Sequence, residues 1–175
     1  IGKNVTMLCS VGWDWMPPVR DRNIGIWAPV FLRTSGGVTI SSPKLVTDLP
    51  NLPDTSLARI SLSLSLLNHS NIEENGELTV TMTPYNFNGN PVSFTRDVKI
   101  GAGNQVVVDL NAENTKELEI SKPVLWWPNG YGKPNLYRIR MQYANGGEIS
   151  DDTTFLFGIR TVSTKAVDVN GFTRR

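Results

Sequence analysis

The 175-residue sequence has one cysteine, Cys9, and one histidine, His69. A single thiol excludes an internal disulfide framework and a metal site built on cysteines, and one imidazole adds too little for another kind of metal centre. No metal site is therefore expected. Cys9 alternates with apolar neighbours in "NVTMLCSV", which favours a buried strand thiol over a reactive nucleophile.

The sequence also lacks an excess of charge of one sign and any long apolar run. Lysine and arginine total 17 against 16 acidic residues, a formal net charge of +1. Nothing in this balance favours nucleic acid or an anionic membrane as a partner. No apolar run approaches the ~18 residues of a membrane span, and the first residues do not have the layout of a signal peptide. Sequons at Asn4 and Asn68 arise often by chance and say little about the compartment.

Groups for catalysis are missing as well. The glutamates lie in turns or at strand edges among other polar residues, and no nucleophile with a neighbouring base is evident around His69. The sequence has no glycine-rich phosphate or dinucleotide loop, so no cofactor is expected. The "GAG" at 101–103 predicts a hairpin turn. On its own residues the chain is expected to catalyse nothing.

What the sequence does have is alternation of apolar and polar residues. In "LARISLSLSLLN" leucine or isoleucine alternates with serine, which predicts a half-buried strand. About seven such runs, separated by turn signals and without helical periodicity, predict an all-β fold, an antiparallel β-sandwich of immunoglobulin-like type. The side chains predicted to face inward are Leu62, Leu64, Val80, Phe94, Val108, Ile139 and Phe157.

The sandwich is placed at residues 36–162. Residues 1–35 are expected to be strands left from a preceding β-domain, because two strands cannot bury a core alone. Residues 163–175 are expected to begin a connection onward. This organisation favours a fragment of a larger protein. A free-standing immunoglobulin-like carbohydrate-binding module is the alternative, and it would begin and end near its own sandwich.

Two aromatic clusters stand outside the alternating pattern, "GWDW" with "GIWAPV" near the start and "LWWPNGYG" at 125–132. They indicate interface contacts or sugar-stacking surfaces, with core packing at the strand ends as the alternative. Asp14 lies between Trp13 and Trp15. Because an unpaired buried acid is costly, it is expected to meet Arg20 or Arg22, a backbone N–H or a polar ligand.

These clusters carry a resemblance to a known family. "GWDWMPPVRDRNIGIWAPVFL" resembles the segment that ends the N-terminal jelly roll of glycoside hydrolase family 2. "LWWPNGYGKPNLYRIRM" and "FLFGIRTV" resemble two signatures of the immunoglobulin-like domain that follows. The resemblance covers essentially the whole chain, and the subfamilies it looks most like are exo-β-glucosaminidases and β-mannosidases.

The resemblance implies a retaining exo-β-glycosidase whose catalytic glutamates lie on a TIM barrel after the immunoglobulin-like domain. The family's acid/base lies in an Asn-Glu dipeptide, and the 175 residues contain none. The implied partners are carbohydrate and the chain's own barrel domain. By this resemblance residues 1–35 end a jelly roll and residues 163–175 lead to the barrel. A periplasmic or extracellular location is favoured over the cytoplasm.

The resemblance also assigns roles to the aromatic clusters. Trp13 and Asp14 are the candidates for contact with a sugar, because the family's Trp-Asp-Trp loop reaches toward the catalytic pocket. The remaining candidates are expected to hold that loop or to pack a domain interface: Trp15, Arg20, Arg22, Trp27, Trp126, Trp127 and Pro128. No catalytic residue is assigned.

Overall fold

The computed structural model describes residue 26, residues 28–163, and the backbone of two short strands at 167–169 and 172–174. The chain divides into two compact units, Ile1–Thr34 and Ser35–Arg175, and every described strand lies in the second. The strands are β1 (Val38–Asp48), β2 (Leu57–Asn68), β3 (Glu74–Pro84), β4 (Val92–Ile100), β5 (Gln105–Leu110), β6 (Glu119–Ser121), β7 (Tyr137–Asn145), β8 (Glu148–Phe157), β9 (Val167–Val169) and β10 (Phe172–Arg174).

The strands form two antiparallel sheets that share one core. One sheet has the order β1-β2-β5, with β6 paired to the first residues of β2, and the other has the order β4-β3-β7-β8. Strands β9 and β10 pair with each other. A single cluster of buried apolar side chains draws on both sheets. The predicted antiparallel β-sandwich is therefore confirmed, whereas the assignment of residues 1–35 and 163–175 to neighbouring domains stays a prediction.

Strand β2 shows why the alternating pattern specifies this fold. Ile60, Leu62, Leu64 and Leu66 are all buried, while the serines between them lie on the opposite, partly exposed face. Full burial of each such side chain contributes about 1.5–3 kcal/mol. A slip of one residue would turn all four toward solvent, so the pattern fixes the register of β2 against β1 and β5.

All seven side chains predicted to face inward contribute to the core. Five are buried, and the other two, Phe94 on β4 and Val108 on β5, are half-buried and pack against the core. Both β4 and β5 are edge strands of their sheets. Their side chains therefore have a neighbouring strand on one side only, which leaves them more exposed than those of the central strands.

The expected hairpin at "GAG" is wrong. Strands β4 and β5 flank this turn, but β4 pairs with β3 and β5 pairs with β2, so the chain crosses there from one sheet to the other. The crossing is held by the end of β2, because Asn68 N–H donates to the Asn104 carbonyl at 3.0 Å and Gly103 N–H donates to the Ser70 carbonyl at 3.0 Å. The turn thus closes the end of the sandwich.

The sequence pattern also missed a short strand. Lys116–Leu118 forms a 3₁₀ helix, and β6 follows it directly. Buried Leu118 is the apolar anchor of this segment. None of the helices in the described part of the chain is long and apolar enough to cross a membrane.

Asn68, the asparagine of the second sequon, is buried at the end of β2, with 1% of its surface exposed. Its amide nitrogen donates to the carbonyls of Ile72 at 2.7 Å and Gly101 at 3.1 Å. Its amide oxygen accepts hydrogen bonds from the Ser70 backbone N–H and hydroxyl, at 2.9 and 2.8 Å. One side chain therefore ties together the β2–β3 turn and the crossing between the sheets.

Tyr143 provides a test of the packing. Its side chain is fully buried, and its hydroxyl has no hydrogen-bond partner among the described residues. Because burying an unpaired hydroxyl costs about 1–3 kcal/mol, Tyr143→Phe is expected to raise the free energy of unfolding by roughly 1 kcal/mol. Urea unfolding at pH 7 measures the change, and a less stable variant would show that the hydroxyl is satisfied.

Tyr143→Phe is also expected to change how the stability of the protein depends on pH. Burial, and to a smaller extent the Glu74 carboxylate, raises the pKa of Tyr143 above the ordinary value of 10.0. The unfolded chain then loses this proton first as the pH rises, so stability falls above pH 10. Tyr143→Phe is expected to make that fall shallower.

Candidate functional site

Six of the predicted site residues lie outside the residues that the structure describes: Trp13, Asp14, Trp15, Arg20, Arg22 and Trp27. Their assignments to substrate contact, loop support and domain interface stay predictions. The other three, Trp126, Trp127 and Pro128, lie between β6 and β7. They belong to a segment that we call the tryptophan loop, residues 125–135.

The tryptophan loop is closed at its base by backbone hydrogen bonds. Trp126 N–H donates to the Ile159 carbonyl at 3.0 Å, and Trp127 N–H donates to the Lys133 carbonyl at 3.1 Å. The first bond attaches the loop to the segment after β8, and the second joins its two arms. The loop therefore has a defined conformation.

At the tip of the loop, two glycines are required by the geometry. Tyr131 N–H donates to the Pro128 carbonyl at 3.1 Å, and Gly130 has φ +84°, as the third residue of a type II turn requires. A Cβ on Gly132 would lie 2.8 Å from two ring atoms of Trp127. The glycines of "PNGYG" thus allow the turn and let the indole lie against the backbone.

Trp126 is held between a glycine and an arginine from the segment after β8. A Cβ on Gly158 would lie 2.6 Å from the Trp126 Cβ, so only glycine fits there without a shift. The Arg160 guanidinium carbon lies 4.5 Å from the Trp126 ring centroid, within the range of a cation–π interaction. The two sequence motifs "LWWPNGYG" and "FLFGIRTV" therefore meet in space at Trp126.

Two further hydrogen bonds, one of them to Tyr137 on strand β7, hold the two ends of the loop. The Tyr137 hydroxyl accepts a hydrogen bond from Val124 N–H at 2.9 Å, and the Asn135 amide donates to the Leu125 carbonyl at 2.9 Å. Burial raises the pKa of Tyr137, although the hydrogen bond from Val124 opposes the shift. Tyr137 therefore stays neutral and can hold this position at physiological pH.

Beside Trp126 lies a groove of about 640 Å³, which we call the apolar groove. It runs between the last residues of β1 and residues 156–162, and Val46, Leu156 and Val162 leave large parts of their side chains exposed in it. On the neighbouring loop, 44% of Trp127 is also exposed. Exposed apolar surface of this kind is typical of protein interfaces.

Gly158, Arg160 and Tyr137 were not among the candidate site residues. Gly158 and Arg160 do lie within "FLFGIRTV", so a signal was present in the sequence, but their role depends on the contact with Trp126. Tyr137 reads as an ordinary strand residue, and no signal in its neighbourhood indicates that its hydroxyl supports the loop.

Three ion pairs join acidic and basic side chains among the described residues, all of them at partly exposed positions. Lys99 contacts Glu73 at 2.9 Å and its hydrogen bond lowers the pKa of Glu73, while Arg140 contacts Asp152 at 2.8 Å. In the part of the chain that the structure describes, no three acidic, histidine or cysteine side chains lie close enough together to hold a metal ion.

Comparison with known proteins shows which family the chain belongs to. The sequence profile described as "Glycosyl hydrolases family 2" matches residues 38–160, which include both the tryptophan loop and Gly158–Arg160. A mannosylglycoprotein endo-β-mannosidase from Lilium longiflorum is 34% identical over 98% of the chain, and an exo-β-D-glucosaminidase from Streptomyces avermitilis is 30% identical over 91%.

Solved structures give the same result. The exo-chitosanase of Amycolatopsis orientalis superimposes with a TM-score of 0.59, at 27% identity, over 77% of this chain and 14% of that one. The chain spans 18% of the length of the lily enzyme and 16% of the Streptomyces enzyme. From the profile match across the sandwich we conclude that the chain belongs to glycosyl hydrolase family 2.

Proposed function

We propose that this chain is a non-catalytic part of a larger retaining β-glycosidase that acts on β-mannosides or β-glucosaminides. The observation that carries the proposal is the similarity over nearly the whole chain to an endo-β-mannosidase and an exo-β-glucosaminidase that are each several times longer. Glycoside hydrolysis by this route needs two carboxylates on either side of the scissile bond. In the proposal these lie on a TIM barrel elsewhere in the larger enzyme.

The tryptophan loop and the apolar groove are proposed as the surface on which that barrel rests. Interface centres are enriched in tryptophan and arginine, and the half-exposed Trp127 and the Trp126–Arg160 pair provide both residue types. The N-terminal Trp13 and Asp14 are proposed to reach the substrate pocket. Trp15, Arg20, Arg22 and Trp27 are proposed to brace that segment.

The test of the proposal is hydrolysis by the larger protein that carries this segment. We expect it to release the aryl group from 4-nitrophenyl β-D-mannoside or β-D-glucosaminide and single sugars from the ends of oligosaccharides. Cleavage at internal linkages would instead support the endo action named for the lily relative. The 175-residue chain alone, assayed in parallel, is expected to release nothing, and turnover by the pure chain would overturn its non-catalytic role.

Asp14→Ala in the larger enzyme is expected to lower kcat/KM ten- to a hundredfold and to leave the melting temperature unchanged. Hydrogen bonds from sugar hydroxyls to a charged acceptor are worth roughly 1.5–3 kcal/mol, which corresponds to that loss. Asp97→Ala, at an exposed position of β4, is the matched control and should change neither quantity. An unchanged rate with a lowered melting temperature would make Asp14 a brace for its loop.

A further inference from the structure

A second cavity, of about 420 Å³, opens between the two sheets beneath the β3–β4 loop. We call it the end cleft. Its inner surface is formed by core side chains, and its mouth is formed by the loop residues 87–90 and by residues 117–122. Pockets that hold small molecules have about this volume and the same combination of an apolar interior with a few polar groups. The end cleft shares Phe157 with the apolar groove, and the other lining residues of the two differ.

Three aromatic rings follow one another along the end cleft. Phe87 meets the Tyr137 ring edge-on, with centroids 4.8 Å apart, and Tyr137 stacks on Phe157 at 5.4 Å. Phe87 and Tyr137 remain half-buried. Rings held in this way offer a firm apolar wall, against which the C–H face of a ring-shaped ligand can pack without ordering flexible side chains.

The mouth of the end cleft is polar. It carries the side chains of Asn88, Asn90, Glu117 and Lys122, and none of these has a hydrogen-bond or ion-pair partner among the described residues. Together they offer neutral and charged donors and acceptors. Such a mixed set pairs well with hydroxyl groups, which both donate and accept.

The β3–β4 loop that carries the two asparagines is fixed at its base. The Asn86 amide nitrogen donates to the Pro134 carbonyl at 3.0 Å, and its oxygen accepts from Leu136 N–H at 2.7 Å. The amides of Asn88 and Asn90 therefore project from an anchored segment.

Lys122 has an unusual backbone. Its φ is +51°, in the left-handed region that favours glycine, and its N–H donates to the Ser56 carbonyl at 2.7 Å. Among the described residues, Ser42 is the other non-glycine residue with positive φ, and it does not line the cleft. Residues in sparsely populated backbone conformations persist where the surrounding structure holds them, and they cluster at functional sites. A lysine in place of the easier glycine is explained if its ammonium group binds a ligand.

From the aromatic wall of the end cleft, the polar side chains at its mouth and the left-handed backbone of Lys122, we propose that the end cleft is a second carbohydrate site. It binds one pyranose residue of a β-mannoside or β-glucosaminide. The sugar's apolar face packs on Phe87 and Tyr137, and its hydroxyls bond to Asn88, Asn90 and Lys122. In a glucosaminide the ammonium group also meets Glu117. The choice of sugar rests on the proposed function. The existence of a binding site is inferred independently, from the aromatic rings and polar side chains of the end cleft.

The experiment titrates the 175-residue chain with β-1,4-mannobiose and, separately, with β-1,4-linked glucosamine disaccharide, and follows amide chemical shifts by NMR. We expect saturable shifts at the side-chain amides of Asn88 and Asn90, with a Kd on the order of millimolar for one of the two sugars. Glycerol at the same concentration should leave these signals unchanged. Equal shifts with glycerol, or no shifts with either disaccharide, would overturn the site.

Lys122→Gly separates a binding role from a structural one. It relieves the backbone strain, so the melting temperature should stay the same or rise, while sugar binding weakens on the order of five- to tenfold. Ser42→Gly is the matched control, because it relieves the same backbone conformation in β1 and should leave binding unchanged. Undiminished binding in Lys122→Gly would refute the role of Lys122 and the proposal with it. Hydrolysis by the larger enzyme is measured independently, so loss of this site leaves the proposed function standing.

Discussion

Asn68→Ala is expected to destabilise the sandwich by about 3–5 kcal/mol, because it breaks buried hydrogen bonds and leaves their partners unpaired. The Asn68 amide nitrogen satisfies the Ile72 and Gly101 carbonyls, and its oxygen satisfies the Ser70 N–H. Alanine can replace neither group, and it also leaves a void at the end of β2. The β2–β3 turn and the crossing between the sheets should loosen together.

Urea unfolding followed by circular dichroism measures this loss. Asn51→Ala is the control, since Asn51 lies exposed in the β1–β2 turn, and its change should stay within about 0.5 kcal/mol. A loss of less than about 1 kcal/mol in the free energy of unfolding would show that water can replace the Asn68 amide. The side chain would then not be what connects the β2–β3 turn to the crossing between the sheets.

Gly158→Ala is the second substitution with a large expected effect. The new Cβ would lie 2.6 Å from the Trp126 Cβ and 2.8 Å from its Cγ, so Trp126 or the backbone has to move. Overpacking of this kind costs about 1–3 kcal/mol. Because Trp126 also contacts Arg160, the displacement should break the cation–π pair and loosen the tryptophan loop.

Unfolding in urea and the tryptophan fluorescence spectrum report the two effects of Gly158→Ala. Gly37→Ala is the control, because its Cβ would meet its nearest neighbour, Glu74 Oε1, at an ordinary 3.5 Å. In the larger enzyme the proposed interface predicts a further loss of stability beyond that seen in the chain alone. A variant with unchanged stability and fluorescence would show that the indole moves aside freely.

The faces of the strands could be predicted from the sequence because a strand has a period of two. The serines between the leucines of β2 leave one consistent orientation, and the structure confirms it. The partner of each strand could not be predicted in the same way. The "GAG" sequence indicates where the chain turns, but the hydrogen bonds from Asn68 and Gly103 direct it into the other sheet. Strand β6, three residues long, is formed through its pairing with β2.

The candidate site was predictable to the extent that its residues are unusual. Two adjacent tryptophans, Trp126 and Trp127, are easily recognised in a sequence. The roles of Gly158 and Arg160 become evident only from the structure, in which the segment after β8 pairs with the tryptophan loop. The end cleft could not be predicted. Asn88, Asn90 and Lys122 each read as ordinary turn residues, and the fold alone brings them around one opening.

Because Asn68 is buried in the folded sandwich, its sequon is accessible to glycosylation only before folding is complete. An oligosaccharide can be attached only to an exposed asparagine, so in a secretory pathway that glycosylates proteins, transfer at Asn68 competes with closure of the sandwich. Molecules that fold first escape the sugar, and molecules that acquire it can no longer bury the side chain. The fraction of molecules glycosylated at Asn68 would then measure how often glycosylation precedes closure of the sandwich.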